Sequence, residues 1–237
     1  MIAFFKTIIY IPLYNILAAL LSVLPVADVG LAVILLTLAV KLVLYPVSRS
    51  ASVMQVKMKE HQHELEDIKS KYKNKEDQAL QTLEFYRKHK INPFTSFITV
   101  LVQIPIIYSL YYVFVRSGLP NIDLDLLYSF TPRPESISHN VLGLFDIGSK
   151  SVVLALLAAL SSFYQMKMSG VASKKVEKGK EDISSMMASQ MKYTFPIIVF
   201  FISWKTSMLL ALYWLTNNLL SILQDWRVRH NFKSQSD

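Results

Sequence analysis

Four apolar runs of this 237-residue chain carry polar side chains at helical spacing. Lys41 lies inside Val29–Val47, with Thr37 one turn before it, Tyr45 one turn after and Ser48 two turns after. Thr99 and Gln103 are one turn apart in a second run, and Ser161, Ser162 and Gln165 close a third. Asn217, Ser221 and Gln224 share one face of the last, at spacings of four and three. A set of amides, hydroxyls and one ammonium does not make or break covalent bonds. It can hold water, offer hydrogen bonds to a polar polypeptide segment, and attract an acidic one.

Each residue also has a plainer reading. Lys41 lies roughly 9 Å inside the end of its run at helical rise, within partial reach of a snorkelling lysine stem. Snorkelling and a functional groove stand even for that residue alone. Gln103 could hydrogen-bond a neighbouring helix and do nothing else, which is common in membrane bundles.

The remaining chemistry is narrow. There is no cysteine, which excludes disulfides, thiolate metal sites and thiol catalysis. No GxSxG, no HExxH and no glycine-rich phosphate loop occurs, and the apolar runs hold no Asp or Glu. The sequence therefore predicts no catalytic residue, no metal and no cofactor, and a relay of buried carboxylates for ion-coupled transport is missing. His61 and His63, two apart on a helix, point in different directions and form no chelating pair, while His89 stands isolated in a basic segment.

The elements that must position the polar strips are helices in a bilayer. The chain is 52% hydrophobic with a mean hydropathy of +0.34, and only 18% of it is charged, below the usual quarter. Val29–Val47 reaches roughly 28 Å as a helix, close to the hydrocarbon thickness. The predicted fold is an all-α polytopic membrane protein with five transmembrane helices, at about 29–47, 94–115, 151–169, 193–204 and 208–224. Residues 1–28 read as an amphipathic interfacial helix, with a sixth span as runner-up; Lys6, Tyr10 and Tyr14 recur at helical spacing, as interfacial anchors do. Pro25-Val26-Ala27 is a poor signal-peptide cleavage site.

Residues 49–92 hold ten Lys or Arg and seven Asp or Glu with helical apolar spacing. They read as a cytoplasmic helical hairpin turning at Lys73-Asn74-Lys75, with one stripe of Met54, Met58, Leu65 and Ile68 and another of Ala79, Leu83 and Tyr86. An external loop at 116–150, a cytoplasmic loop at 170–192 and a tail at 225–237 complete the chain. Placing the hairpin, the second loop and the tail in the cytoplasm puts nineteen basic residues inside and five outside. That orientation leaves the N-terminus outside and the C-terminus cytoplasmic.

Three segments carry a family resemblance: KLVLYPV from Lys41, YRKHKINPFTSFITVLVQIPIIYSLYYVF from Tyr86, and LALYWLTNNLLSILQDW from Leu210. Asn92-Pro93, Gln103, Pro105 and Leu110-Tyr111 fall in order in the second, and Tyr213-Trp214-x-Thr216-Asn217 in the third. With them the chain, from Tyr10 to Trp226, resembles the YidC/Oxa/Alb family of membrane protein insertases. The resemblance implies a bacterial inner-membrane insertase and foldase with a hydrophilic groove open to the cytoplasm and lipid and closed outside. It implies insertion without nucleotide hydrolysis, in which a basic residue of the first span attracts the polar part of a substrate. Lys41, Gln103, Thr37, Thr99, Gln165, Asn217, Ser221 and Gln224 are the expected groove residues. The expected partners are nascent membrane proteins and the lipid bilayer, with the Sec translocon and the ribosome as further candidates and no sequence-specific nucleic acid. Two departures stand out: Lys41 where most members carry arginine, and Phe97-Ile98-Thr99 where many bacterial members have Cys-Leu-Pro. The chain is expected to be the short form, without the large periplasmic domain or the long basic tail for docking a ribosome. Two other classes fit the residues: a small-solute channel or transporter, and an assembly factor that binds helices without inserting them.

Overall fold

The structure, a computed structural model, describes residues 5–72, 74–92, 95–116, 121–134, 136–138, 140–146, 149–168 and 183–233. They are almost wholly helical. A π-helical turn, Lys6–Tyr10, leads into α1 (Ile11–Val23), followed by α2 (Val29–Val43) and α3 (Tyr45–Glu60). The charged hairpin is α4 (Gln62–Lys71) and α5 (Lys75–Lys88). Then come α6 (Thr95–Tyr111) with a π-helical turn, Tyr112–Arg116, after it, α7 (Val152–Met168), α8 (Ile183–Lys205) and α9 (Met208–Lys233). The segment between α6 and α7 carries one short antiparallel pair, β1 (Asn140–Val141) and β2 (Phe145–Asp146).

The apolar run expected as one span over 29–47 is broken. Asp28 caps its start by accepting from the Leu31 N–H at 2.9 Å. Its end comes early, at Leu44, where α2 and α3 meet at 68°. Pro46, in the first turn of α3, is the reason: within a continuous helix its ring would clash with the Leu42 carbonyl and it has no N–H to donate. Two other boundaries also move. α8 begins at Ile183, ten residues before the expected 193, so residues 183–192 are helix rather than loop, and α9 runs on past 224 to Lys233. Among the described helices, Lys6–Val23 alone is long and apolar enough to cross a membrane, and Val29–Glu60 joins it as a bent pair. Leu101–Phe114 and Val152–Met168 are shorter apolar helices.

The core gathers α1, α2, α6, α7 and α9 around Tyr14, Leu17, Val33, Leu36, Leu110, Leu210 and Tyr213, all buried. α7 packs closely on both α8 and α9. Its small residues allow that: Ala155 with Ala159, and Ala158 with Ser162, repeat every four positions on its buried side. The outward side of α7 exposes Val153, Leu156 and Leu160, as α2 exposes Leu38 and Leu42 and α6 exposes Leu101 and Ile104. Aliphatic side chains turned outward on helix after helix suit hydrocarbon, not water.

The loop after α6 is fastened across α1. The Asn15 carboxamide donates to the Leu126 carbonyl at 2.8 Å and accepts from the Tyr128 N–H and the Thr131 hydroxyl, both at 2.7 Å. Tyr14 Oη accepts from the Asp123 N–H at 2.7 Å, and Ser22 Oγ donates to the Pro132 carbonyl. Further along, β1 lies on the start of α2, where Gly30 faces Val141. A Cβ added at Gly30 would sit 2.5 Å from Val141 Cγ1, and Val141 is fully buried. Gly30→Ala is therefore expected to lower stability by roughly 1–3 kcal/mol through overpacking. Thermal unfolding in detergent reads the loss, and adding Val141→Ala restores most of it; an unchanged midpoint in the single variant would refute this packing.

The hairpin differs in detail from the expected pair of continuous helices. Its first arm breaks at His61, between α3 and α4. Leu83 is 48% exposed, and the residue that packs between the arms is Phe85, at 2%. α5 ends with Lys90 in the left-handed region at φ 52°, its N–H donating to the Arg87 carbonyl and that of Ile91 to the Tyr86 carbonyl. That pair of bonds is a Schellman cap, closed here without a glycine.

A polar cleft between α2, α6 and α9

Lys41, Gln103 and Asn217 come from three helices and line one cleft, together with Ser48 and the apolar side chains of Val40, Leu44 and Val102. The cavity is about 30 Å³, room for about two water molecules on that measure. Lys41, Gln103 and Ser48 each have a side-chain partner on α9. Lys41 Nζ donates to Ser221 Oγ at 2.7 Å, and that hydroxyl donates in turn to the Asn217 carbonyl at 2.8 Å. Gln103 Nε2 donates to Tyr213 Oη at 2.5 Å, tying α6 to α9 beside the cleft. The cleft is amphipathic by construction, with one cation and two amides on an aliphatic wall.

Toward the end of α9 a ladder of contacts joins it to α3. Ser48 Oγ and Gln224 Oε1 are 3.1 Å apart, and Ser52 Oγ donates to Asp225 Oδ1 at 2.5 Å. Asp225 is 7% exposed, and its carboxylate is the acidic group electrostatically linked to Lys41. On its other side stands Arg229, whose guanidinium donates to the Met168 carbonyl. Asp225 and Ser52 are the site residues that the sequence does not single out. Asp225 sits one residue beyond the expected end of the last span and was therefore grouped with the tail. Ser48 and Ser52, one helical turn apart, carried the available signal.

The other expected groove residues are placed as follows. Ser221 and Gln224 hold Lys41 and Ser48. Thr37 is buried and bonds its own helix, donating to the Val33 carbonyl at 2.6 Å, so it does not line the cleft. Gln165, a turn beyond Ser161 on α7, is not among the residues around the cavity. The side chain of Thr99 lies outside the described residues. Ser161 and Ser162 face Asn218 instead, whose Nδ2 donates to them at 3.0 and 2.7 Å and seals α9 against α7.

Far from this cleft, His89 is not isolated. Its ring lies 3.7 Å from that of His61, centroid to centroid, and its Nε2 is 2.8 Å from Glu64 Oε2. Lys88 Nζ holds the other oxygen of Glu64 at 2.7 Å. The Lys88 hydrogen bond, with the weaker one of His89, keeps the Glu64 carboxyl below the ordinary carboxylate range.

The sequence model of the 60Kd inner membrane protein family matches residues 20–235. A protein of Fusobacterium nucleatum subsp. nucleatum, described as membrane protein insertase YidC, is 32% identical over 202 residues, covering 85% of this chain and 86% of its own. A protein of Francisella tularensis subsp. novicida with the same description is 31% identical over 238 residues, 99% of this chain. The chain spans only 37% of that longer relative, and the same holds for one from Francisella tularensis subsp. tularensis.

The ladder between α3 and α9 makes a direct prediction. Ser52→Ala leaves the buried Asp225 carboxylate short of a donor and should cost about 1–3 kcal/mol. Ser52→Ala combined with Asp225→Leu should recover part of that loss in the same thermal assay. A single variant as stable as the parent would mean that Asp225 is satisfied without Ser52.

Proposed function

We propose a function from one premise: the chain belongs to the 60Kd inner membrane protein family, the YidC/Oxa/Alb insertases. In this reading it is a bacterial inner-membrane protein that inserts and folds nascent membrane proteins. Five spans, built on α2, α6, α7, α8 and α9, form the insertase core, with residues 1–28 along the outer interface and the hairpin in the cytoplasm. The N-terminus is outside and the C-terminus inside, an orientation supported by the asymmetry of basic residues. No bond is made or broken, and no nucleotide is consumed.

The observation that carries this reading is the convergence of Lys41, Gln103 and Asn217 on one cleft. A polar segment crossing hydrocarbon costs about 2.5–3.5 kcal/mol for each charged residue on the insertion scale. Water and fixed donors in the cleft lower that cost, and Lys41 favours segments bearing carboxylates. The hydrophobic part of the substrate needs no such help and stays against lipid along the exposed faces of α2 and α6. The Gln103–Tyr213 hydrogen bond spans α6 and α9 at the edge of the cleft and is the contact a substrate segment entering there would meet. The Sec translocon and the ribosome are candidate partners beside the hairpin, whose surplus of lysine and arginine suits an anionic surface. A channel for small solutes is the weaker reading, because beyond Thr37 the bundle closes on Val33, Leu36, Leu209 and Leu210, all buried and apolar.

Hydrogen bonds to charged groups contribute about 1.5–3 kcal/mol. Lys41→Ala is therefore expected to reduce insertion of a substrate with an acidic translocated segment roughly tenfold or more in proteoliposomes, while Lys41→Arg retains it. An alanine variant as active as the parent would separate Lys41 from substrate handling. Because the chain has no cysteine, Gln103→Cys gives a unique probe, with Leu38→Cys as the outward-facing control. Crosslinking of a stalled nascent membrane protein at 103 and not from the polar segment at 38 is expected. Labelling of 103 by a water-soluble thiol reagent without any polypeptide adduct would move the solute reading ahead.

A further inference from the structure

At the base of the hairpin three ligating side chains meet from three helix ends. His61 is the junction of α3 and α4, Glu64 lies in the first turn of α4, and His89 caps the end of α5. One ligand atom from each falls within 4.8 Å of the other two. In a tetrahedral zinc site with bonds of about 2.0–2.1 Å, ligand atoms are roughly 3.3 Å apart, so closure asks for side-chain shifts of about 1 Å. The backbone around them is fixed: the left-handed cap at Lys90 sets the end of α5, and Phe85, buried between the arms, lies 4.8 Å from the His89 ring and 6.5 Å from that of His61.

We propose that His61, Glu64 and His89 form a zinc site that staples the two arms of the hairpin. The donor set is two imidazoles and one carboxylate, which suits zinc, with the fourth position left to water. Lys88 holds Glu64 Oε1, while Oε2 faces His89 Nε2 at 2.8 Å. The metal takes the place of the proton now shared between Glu64 Oε2 and His89 Nε2. Lys88 opposes binding as a nearby cation, and its side chain is 67% exposed, so solvent screens it. Binding joins the break between α3 and α4 to the last residues before Asn92, making one body of the hairpin base.

The test uses the full chain, without a histidine tag, in detergent or nanodiscs. Titration with Zn²⁺ is expected to saturate at one ion per chain, and Co²⁺ in its place gives the visible bands of a site with nitrogen ligands. His61→Gln and His89→Gln should each weaken binding roughly tenfold or more, and Glu64→Gln should weaken it as well. His63→Gln should leave it unchanged, because that side chain is 84% exposed, lies 4.0 Å from Glu66 and is not one of the three clustered ligands. Zinc should also slow hydrogen exchange over residues 60–91 in the unmodified chain, a readout that depends on no variant's folding. Binding that survives both histidine substitutions, equal loss in His63→Gln, or exchange unchanged by zinc would overturn the site.

Discussion

An ammonium group placed among aliphatic helices must find lone pairs, and in this molecule it finds them on another helix. Lys41 leans on Ser221, and the Ser221 hydroxyl donates in turn to the Asn217 carbonyl. That bond ties the register of α9 to α2 at Ser221. The same register then brings Gln224 to Ser48 and Asp225 to Ser52. The charges at the two ends of this seam are opposite in sign, and each is held by a serine. A buried ion pair in direct contact would cost desolvation on both sides for little net gain. Holding the two apart on hydroxyls keeps the lysine donors available to the cleft.

Apolar packing alone would not produce this arrangement. In hydrocarbon, lipid tails are as good a partner as leucine, so helices associate through close van der Waals fit and hydrogen bonds. The alanines of α7 supply the fit, and Asn218 with Ser161 and Ser162 supplies the bonds. At the opposite end of the bundle Asn15 does comparable work for a loop, where it satisfies three backbone or hydroxyl groups that would otherwise be stranded beside α1. Polar residues inside the apolar runs thus divide into two groups. Some close contacts between elements, and a few, at the cleft, retain an unfilled valence toward the cavity.

Much of this was legible in the sequence. Helical spacing put Lys41, Ser48, Ser221 and Gln224 on facing strips, and the turn at Asn74 was marked by its flanking lysines; Asn74 does cap α5 by accepting from the Glu76 N–H. Periodicity could not tell which polar residue faces the cavity and which bonds inward: Thr37 obeys the same spacing as Lys41 and turns back on its own helix. It could not see partners far apart in the chain either. His89 reads as solitary until α5 folds back and stacks it on His61. The helix break at Leu44 was hidden for another reason. The apolar run continues through it, and hydropathy has no term for the carbonyl that Pro46 would strike.

That break has a mechanical consequence. The residues after it form a straight arm, Tyr45–Glu60, 16 residues long, and so about 24 Å at helical rise. The cleft residues Lys41 and Leu44 stand at its root. A rotation of about 5° at Leu44 would carry the far end of the arm through about 2 Å on that length. Leverage works in both directions. Whatever presses on the hairpin is geared down to a small, forceful displacement where the lysine sits, and a slight parting of helices at the lysine is geared up into a wide swing of the hairpin in the water beyond.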